Sequence, residues 1–443
     1  MKFKLLGLIL AGSLVFSGCA VADPTVSESD LSALATAVGL ETPDPGDENG
    51  WEPEEPVLPD SEVLAKALNK ISRKSLTTGF AVLAPDGTVL AYRNDYGMVP
   101  ASTMKLVTAL AAIDVLGRDT RFSTSVVSAE AGKITLVGGG DPFLWKGKSS
   151  VSARRANLDD LAAATAAALT AAGVTSVKLT YDASLFSGSA YSSSWKKSWA
   201  SYTPRIKALV VNGGKSTGWA ADKDPALATA KAFADRLKKN GIKVSSTKAG
   251  AAPEGAVEVA AVQSATVGVQ VRRMLKYSDN VAAEVLARQV AIAKGLPGSF
   301  SGANKALKAW MQEKGLWETG QKIDGGSGLS SKTKLKPSVL AKLVLISLDD
   351  NTYYDVIAGL PTAGVDGTLK KRFNDKSEAA GRKVVHAKTG SLKEVDTLAG
   401  YVTTADGVTL TFAFMSSHAS SKAKAAVNWI DRSASVLAKC GCR

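Results

Sequence analysis

The sequence predicts a mixed α/β (α+β) body, and three observations predict it. From residue 61 onward, segments with the apolar spacing of helices alternate with short strand-like runs. The chain closes on three such runs followed by an amphipathic helix, 421–437. One apolar helix opens on Ser102-Thr103-Met104-Lys105, which sets a nucleophile and an amine one helical turn apart. With 443 residues the chain is long enough for two or three domains.

The body is preceded by a leader. Lys2 and Lys4 stand before an apolar run, Leu5 to Phe16, that is too short to span a bilayer and reads as a secretory signal over residues 1–19. Two processing sites compete. Phe16-Ser17-Gly18-Cys19 resembles a bacterial lipobox, with Cys19 as the lipidation candidate and membrane attachment through that lipid. Ala20-Val21-Ala22 offers ordinary cleavage before Asp23. The lipobox is preferred, because a Cys placed there is otherwise unexplained. Residues 23–60 hold eleven acidic residues and no Lys or Arg, and are expected to be a disordered tether.

In the body, 62–71 has helical spacing, and 79–83 with 89–92 reads as a hairpin across Pro85-Asp86-Gly87. A helix follows at 103–116. Strands are expected at 122–127, 133–137, 177–181 and 242–244, with Ala-rich or amphipathic helices at 158–172 and 225–240. Helices at 267–274 and 281–294 flank Tyr277-Ser278-Asp279-Asn280, and another covers 338–348. The closing strands are 383–387, 397–403 and 408–416.

Three short motifs occur in order: Ser102-x-x-Lys105, Ser278-Asp279-Asn280 and Lys388-Thr389-Gly390. Ser-x-x-Lys also occurs at Ser193, Ser245 and Ser331, so only its place at a helix start singles out Ser102. A serine hydroxyl needs a nearby base, and Lys105 can serve if burial and neighbouring cations lower its pKa. Attack on an amide makes an oxyanion, for which the backbone N–H groups of Ser102 and Ser391 are the expected donors. Ser278 can relay a proton to the departing amine, and Asn280 can hold the substrate amide. Lys388 and Thr389, followed by Gly390 on a strand edge, suit a terminal carboxylate.

With these motifs, the chain resembles the class C low-molecular-mass penicillin-binding proteins, the D-Ala-D-Ala carboxypeptidase/endopeptidase family. The likeness runs from about residue 62 to 435. It is carried by Pro100 to Leu106, Gly138-Gly139-Gly140-Asp141-Pro142, Tyr277 to Asn280 with Ala283-Glu284, Gly326 to Ser330, Gly364 to Leu369 and Ala387 to Leu392. The resemblance implies a serine β-lactamase/transpeptidase-like catalytic domain, 61–118 plus 263–443, interrupted by an inserted module at 119–262. It implies peptidoglycan stem peptides as substrate, β-lactams as inhibitors, an acyl-enzyme on Ser102, and no metal or organic cofactor. Two positions depart from the family pattern: Ser331 stands where an Arg often follows Ser-Gly-Leu-Ser, and Lys196, Lys197 and Ser198 follow Trp195 where an acidic residue is common. In relatives those charges help hold a diaminopimelate side chain, so a different third stem residue is open.

The formal net charge of +13 suits an anionic partner such as a cell wall, acidic lipid or nucleic acid. Export and the lack of a nucleic-acid motif argue against the last. Gly214-Lys215-Ser216 is no phosphate loop, since Leu209 occupies the place of its required first glycine. The two histidines, His386 and His418, are not needed as a base; His418 is expected in a loop. Of the three cysteines, Cys440 and Cys442 close the chain, as a tail disulfide or free thiols. A serine β-lactamase and a non-catalytic wall-binding protein are the rival functions.

Overall fold

A computed structural model describes residues 57–147, 155–201 and 203–441. The leader, Cys19, nearly all of the acidic tether and Cys442 lie outside the described residues. Among the described residues no helix is long and apolar enough to cross a membrane.

The first element among the described residues is α1 (Ser61–Lys70), capped by Asp60, whose side chain accepts from the Val63 N–H. β1 (Leu76–Leu83) and β2 (Val89–Arg93) follow as an antiparallel pair. Next come α2 (Lys105–Leu116), β3 (Ser123–Glu130), β4 (Lys133–Val137), α3 (Leu158–Ala171) and β5 (Ser176–Asp182). Then α4 (Pro225–Lys239), β6 (Lys243–Ala249), β7 (Val257–Gln263), α5 (Val267–Tyr277) and α6 (Asn280–Ala293). The last third holds α7 (Phe300–Glu313), α8 (Pro337–Asp349), α9 (Tyr354–Gly359), β8 (Val385–Leu392), β9 (Val395–Thr403), β10 (Thr409–His418) and α10 (Ala423–Lys439).

The strands form two five-stranded sheets. The first has the order β2-β1-β10-β9-β8 and joins the two ends of the body, with Leu76 opposite His418 in register. Helices cover both of its faces. On one side Ala399, Ala413 and Met415 meet the apolar cluster of α2, α5, α6, α7 and α8; on the other Phe80, Phe412 and Phe414 meet Leu64, Leu68, Trp429 and Leu437 of α1 and α10. Full burial of each such large side chain is worth about 2 kcal/mol or more. One polar group of the helical layer ties three elements together: Asp114 accepts from Trp310 Nε1 at 2.8 Å and from the Tyr353 hydroxyl at 2.6 Å.

The second sheet, β6-β5-β4-β3-β7, is built wholly from residues 123–263. β4, β5 and β6 run parallel, as expected for strands joined through helices, and α3 and α4 bury Leu161, Leu169, Phe233 and Leu237 against them. The glycine run before Pro142 is a close packing of backbones: a Cβ at Gly139 would lie 2.0 Å from the Ser123 carbonyl oxygen.

Several expectations are corrected. His418 is the last residue of β10, buried, with Nε2 2.9 Å from Asp396 Oδ2, because pairing with β1 carries that strand past its alternating pattern. The strand expected to stop at Ala387 continues through Lys388, Thr389 and Gly390 to Leu392. The helix α7 and the strand β7 were not anticipated. Cys440, buried after α10, is disulfide-bonded.

Candidate active site

The Ser102 helix does not begin as a regular α-helix. Ala101 to Met104 form a 3-10 turn that feeds α2, and Ala101 has φ +47°, a left-handed backbone that a non-glycine residue rarely adopts. The turn is fastened from two sides. Thr397 on β9 donates its hydroxyl to the Pro100 carbonyl at 2.8 Å, and Thr103 donates to the same oxygen at 2.7 Å. Glycines let neighbouring backbone come close. A Cβ at Gly390 would lie 2.1 Å from Thr397 Oγ1 and 3.0 Å from Ser102 N, and one at Gly328 would lie 1.8 Å from the Ala101 carbonyl oxygen. The Lys-Thr-Gly strand therefore passes directly beside the Ser102 N–H.

Lys105, fully buried, joins the first two motifs. Its Nζ lies 2.9 Å from Ser102 Oγ, 2.7 Å from Asn280 Oδ1 and 2.7 Å from the Ser327 carbonyl oxygen. Burial pulls its pKa down to about 7, against the opposing pull of Glu284 and Asp279. A neutral amine has two N–H groups and one lone pair. The two N–H groups go to Asn280 Oδ1 and the Ser327 carbonyl oxygen, atoms that can only accept, so the lone pair is left facing the Ser102 hydroxyl.

The second motif sits between α5 and α6. Ser278 takes a left-handed conformation, φ 57° and ψ 42°, that ends α5, and Asp279 caps α6 by accepting from the Ala282 N–H at 3.0 Å. Asp279 is thus a cap, and its neighbours face the cleft. Lys388, fully buried on β8, donates to Ser278 Oγ at 3.0 Å and to the Thr389 carbonyl at 2.7 Å. Its pKa is pushed well down by burial and by the Lys105 charge. For Lys105 burial does the work, opposed by Glu284 and Asp279, while the repulsion from its neighbouring cation shows on Lys388. The Thr389 hydroxyl lies 2.7 Å from that of Thr368. Tyr277, Ser278, Asp279 and Asn280 line a cleft of about 400 Å³ together with Asn212 and Lys215. All three motifs thus converge, and Ser391 follows Gly390 on β8, the edge strand.

His386 is not in that group. Its Nδ1 lies 3.0 Å from Thr362 Oγ1, and the ring stacks on Tyr401. Trp195 is buried edge-on to Tyr191 and Phe300.

One residue with a part in the geometry went unassigned in the sequence. Glu284 is fully buried one turn along α6 from Asn280, and accepts the Ser327 N–H at 2.9 Å and the Gly326 N–H at 3.2 Å. It holds the loop whose carbonyl holds Lys105. The signal was a lone acid at i+4 from Asn280 within an apolar helix. Because Glu284 raises the Lys105 pKa, Glu284→Gln should move the acid limb of the acylation rate to lower pH. The rate itself should fall by about tenfold as the loop loses a charged acceptor. A limb that stays in place would show that the carboxylate charge does not reach Lys105.

A family profile described as the D-Ala-D-Ala carboxypeptidase 3 (S13) family matches residues 62–219 and 212–437. The chain belongs to this family. Carboxypeptidase DacB of Mycolicibacterium smegmatis is 34% identical to it over 362 residues, 78% of this chain and 76% of that protein. The crystal structure of penicillin binding protein 4 (dacB) from Haemophilus influenzae superposes with a TM-score of 0.72 at 20% identity, covering 86% of this S13 chain and all of that one. The same protein complexed with a novel β-lactam superposes at 0.65 and 21%, covering 83% and 97%. At that identity the two structures establish the fold that this S13 protein shares.

Proposed function

We propose that this S13 protein is a serine D-Ala-D-Ala carboxypeptidase/endopeptidase that hydrolyses peptidoglycan stem peptides through an acyl-enzyme on Ser102, and that penicillin acylates the same oxygen. The observation that carries this reading is the Lys105 amine, poised between Ser102 Oγ and Asn280 Oδ1. Lys105 takes the Ser102 proton as Oγ bonds to the D-Ala-D-Ala carbonyl carbon. The oxyanion rests on the N–H groups of Ser102 and Ser391. Ser278, held by Lys388, passes a proton to the leaving amine as the C–N bond breaks, and D-Ala or a cross-linked stem departs. Asn280 holds the substrate amide, while Lys388, Thr389 and Gly390 receive the terminal carboxylate on the open edge of β8. Water then releases the acyl group.

A β-lactamase needs fast deacylation, often through a free carboxylate and a positioned water. Both oxygens of Glu284 are already engaged by backbone N–H groups, which favours a long-lived acyl-enzyme instead. We assign the catalytic body to 61–118 plus 263–443 and the inserted module to 119–262, a division that the separate second sheet supports. The signal read at 1–19 and Cys19 support a location outside the cytoplasmic membrane, lipid-anchored or secreted, where peptidoglycan lies.

The test is release of D-Ala from a diacylated Lys-D-Ala-D-Ala peptide, with and without prior exposure to penicillin. D-Ala should appear in step with peptide loss, and pre-exposure should stop it. Steady penicillin turnover with no D-Ala released would make the protein a β-lactamase. Neither reaction would leave a wall-binding role.

A further inference from the structure

A second cavity, of about 560 Å³, shares Tyr277 with the catalytic cleft but none of its other lining residues. Phe143 and Val269 give it apolar walls, but its character is cationic: Arg121, Arg155, Arg272, Arg273 and Lys276 all line it. Two of these charges are already answered. Arg272 pairs with Asp355 at 2.7 Å and Lys276 with Asp366 at 2.8 Å. The other three have no ion-pair partner among the described residues. Arg121, which is exposed, donates to the Ser264 carbonyl at 2.7 Å.

Arg273 is the most pre-organised of them. Its guanidinium lies 5.2 Å from the Phe143 ring centroid and 5.3 Å from that of Tyr277, and its buried Nε bonds to nothing. Arg155 faces it: burial and the Arg273 charge both depress the Arg155 pKa. The carboxylate nearest in effect is Asp141, which burial pushes up to about 7, so it neutralises Arg155 poorly. Residues 148–154, next to Arg155 in sequence, contain no Asp or Glu to supply a counter-charge. Arg121 and Arg155 also line an adjoining cavity of about 330 Å³, whose lining includes one carboxylate, Asp160.

We propose that this cavity is a second ligand site, separate from the catalytic cleft, that takes a phosphate-bearing anion. Arg155 and Arg273, half-buried and mutually repelling, are costly to hold side by side unless an anion joins them. Planar forks from several directions match the spread oxygens of a phosphate, and three guanidiniums without an ion pair among the described residues exceed what one carboxylate supplies. The apolar walls accept whatever organic group carries the phosphate.

Titration calorimetry of the full chain with pyrophosphate should show saturable binding. Arg155→Ala and Arg273→Ala should each weaken it by about tenfold, the loss of a charge-assisted contact. Lys239→Ala, on α4 and away from the cavity, should not. Both arginine variants should still be acylated by penicillin at the wild-type rate, which verifies their folding independently of the ligand. Vesicles separate two sources of the phosphate. Co-sedimentation with phosphatidylglycerol but not phosphatidylcholine, lost in the double variant, assigns a lipid headgroup; pyrophosphate binding without co-sedimentation assigns a soluble or polymer-borne phosphate. No saturable binding, binding that neither variant weakens, or equal arginine-dependent binding of N-acetyl-D-glutamate overturns the proposal.

Discussion

A Ser102→Ala protein should fold, should form no covalent adduct with penicillin, and should lose D-Ala release by on the order of 10⁶-fold, as when a nucleophile that works as a unit with its base is removed. The substitution deletes one oxygen and leaves the rest of the site in place. Lys105 keeps its contacts with Asn280 and the Ser327 carbonyl, and the turn stays pinned by Thr397 and Thr103 to the Pro100 carbonyl. Intact-mass spectrometry after brief exposure to the drug reads the result directly. The wild type should gain the mass of one penicillin, and the variant none. An adduct that persists on the variant would place the nucleophile on another residue. Unchanged thermal unfolding of the variant would exclude misfolding as the cause of the loss.

The parts of this site that were legible in the sequence are those that lie close along the chain. Ser102 and Lys105 are one turn apart, Ser278 and Asn280 two residues apart, and Lys388 to Ser391 consecutive, so each motif carries its own spacing. Their meeting was inferred from motif order and from the family resemblance. What the sequence hid depends on contacts between distant segments. Nothing local to Thr397 says that its hydroxyl reaches Pro100, or that Gly390 is small because that hydroxyl lies where a Cβ would be. Glu284 reads as one acid in an apolar helix until the Gly326-Ser327 loop is set against it. Among the elements, α7 was hidden by Pro297, Gly298 and Gly302, although Ser299 caps it and Ala303, Ala306, Leu307, Trp310 and Met311 keep helical spacing. β7 was hidden because its side chains are only partly buried and show no clean alternation. His418 was misplaced because its strand is extended by pairing with β1, a partner more than three hundred residues away.

Replacing Lys105 by methionine should slow acylation by roughly 10³-fold and also change its pH dependence. In the wild type the lysine must be neutral to accept the Ser102 proton. With its pKa pulled down to about 7 by burial, the acylation rate should climb as pH rises through that value and fall about tenfold per unit below it. The methionine variant has no group to titrate there, and its residual rate should lack this limb. If the limb survives in the variant, another group is the base. Stability offers a second readout with a fixed sign. The folded protein releases the Lys105 proton near pH 7, whereas an unfolded lysine keeps it up to its ordinary value of 10.5. Between those values the unfolded chain binds more protons, so this residue makes the wild type more stable as pH rises and less stable as it falls. The Met variant lacks the term, and in it Lys388 also sheds the repulsion that depresses its own pKa. The Tm of the variant minus that of the wild type should therefore grow as pH is lowered from 10.5 to about 7. A difference that stays flat across that window would mean that the amine is not held neutral in the folded site, and the lone pair facing Ser102 would be lost with it.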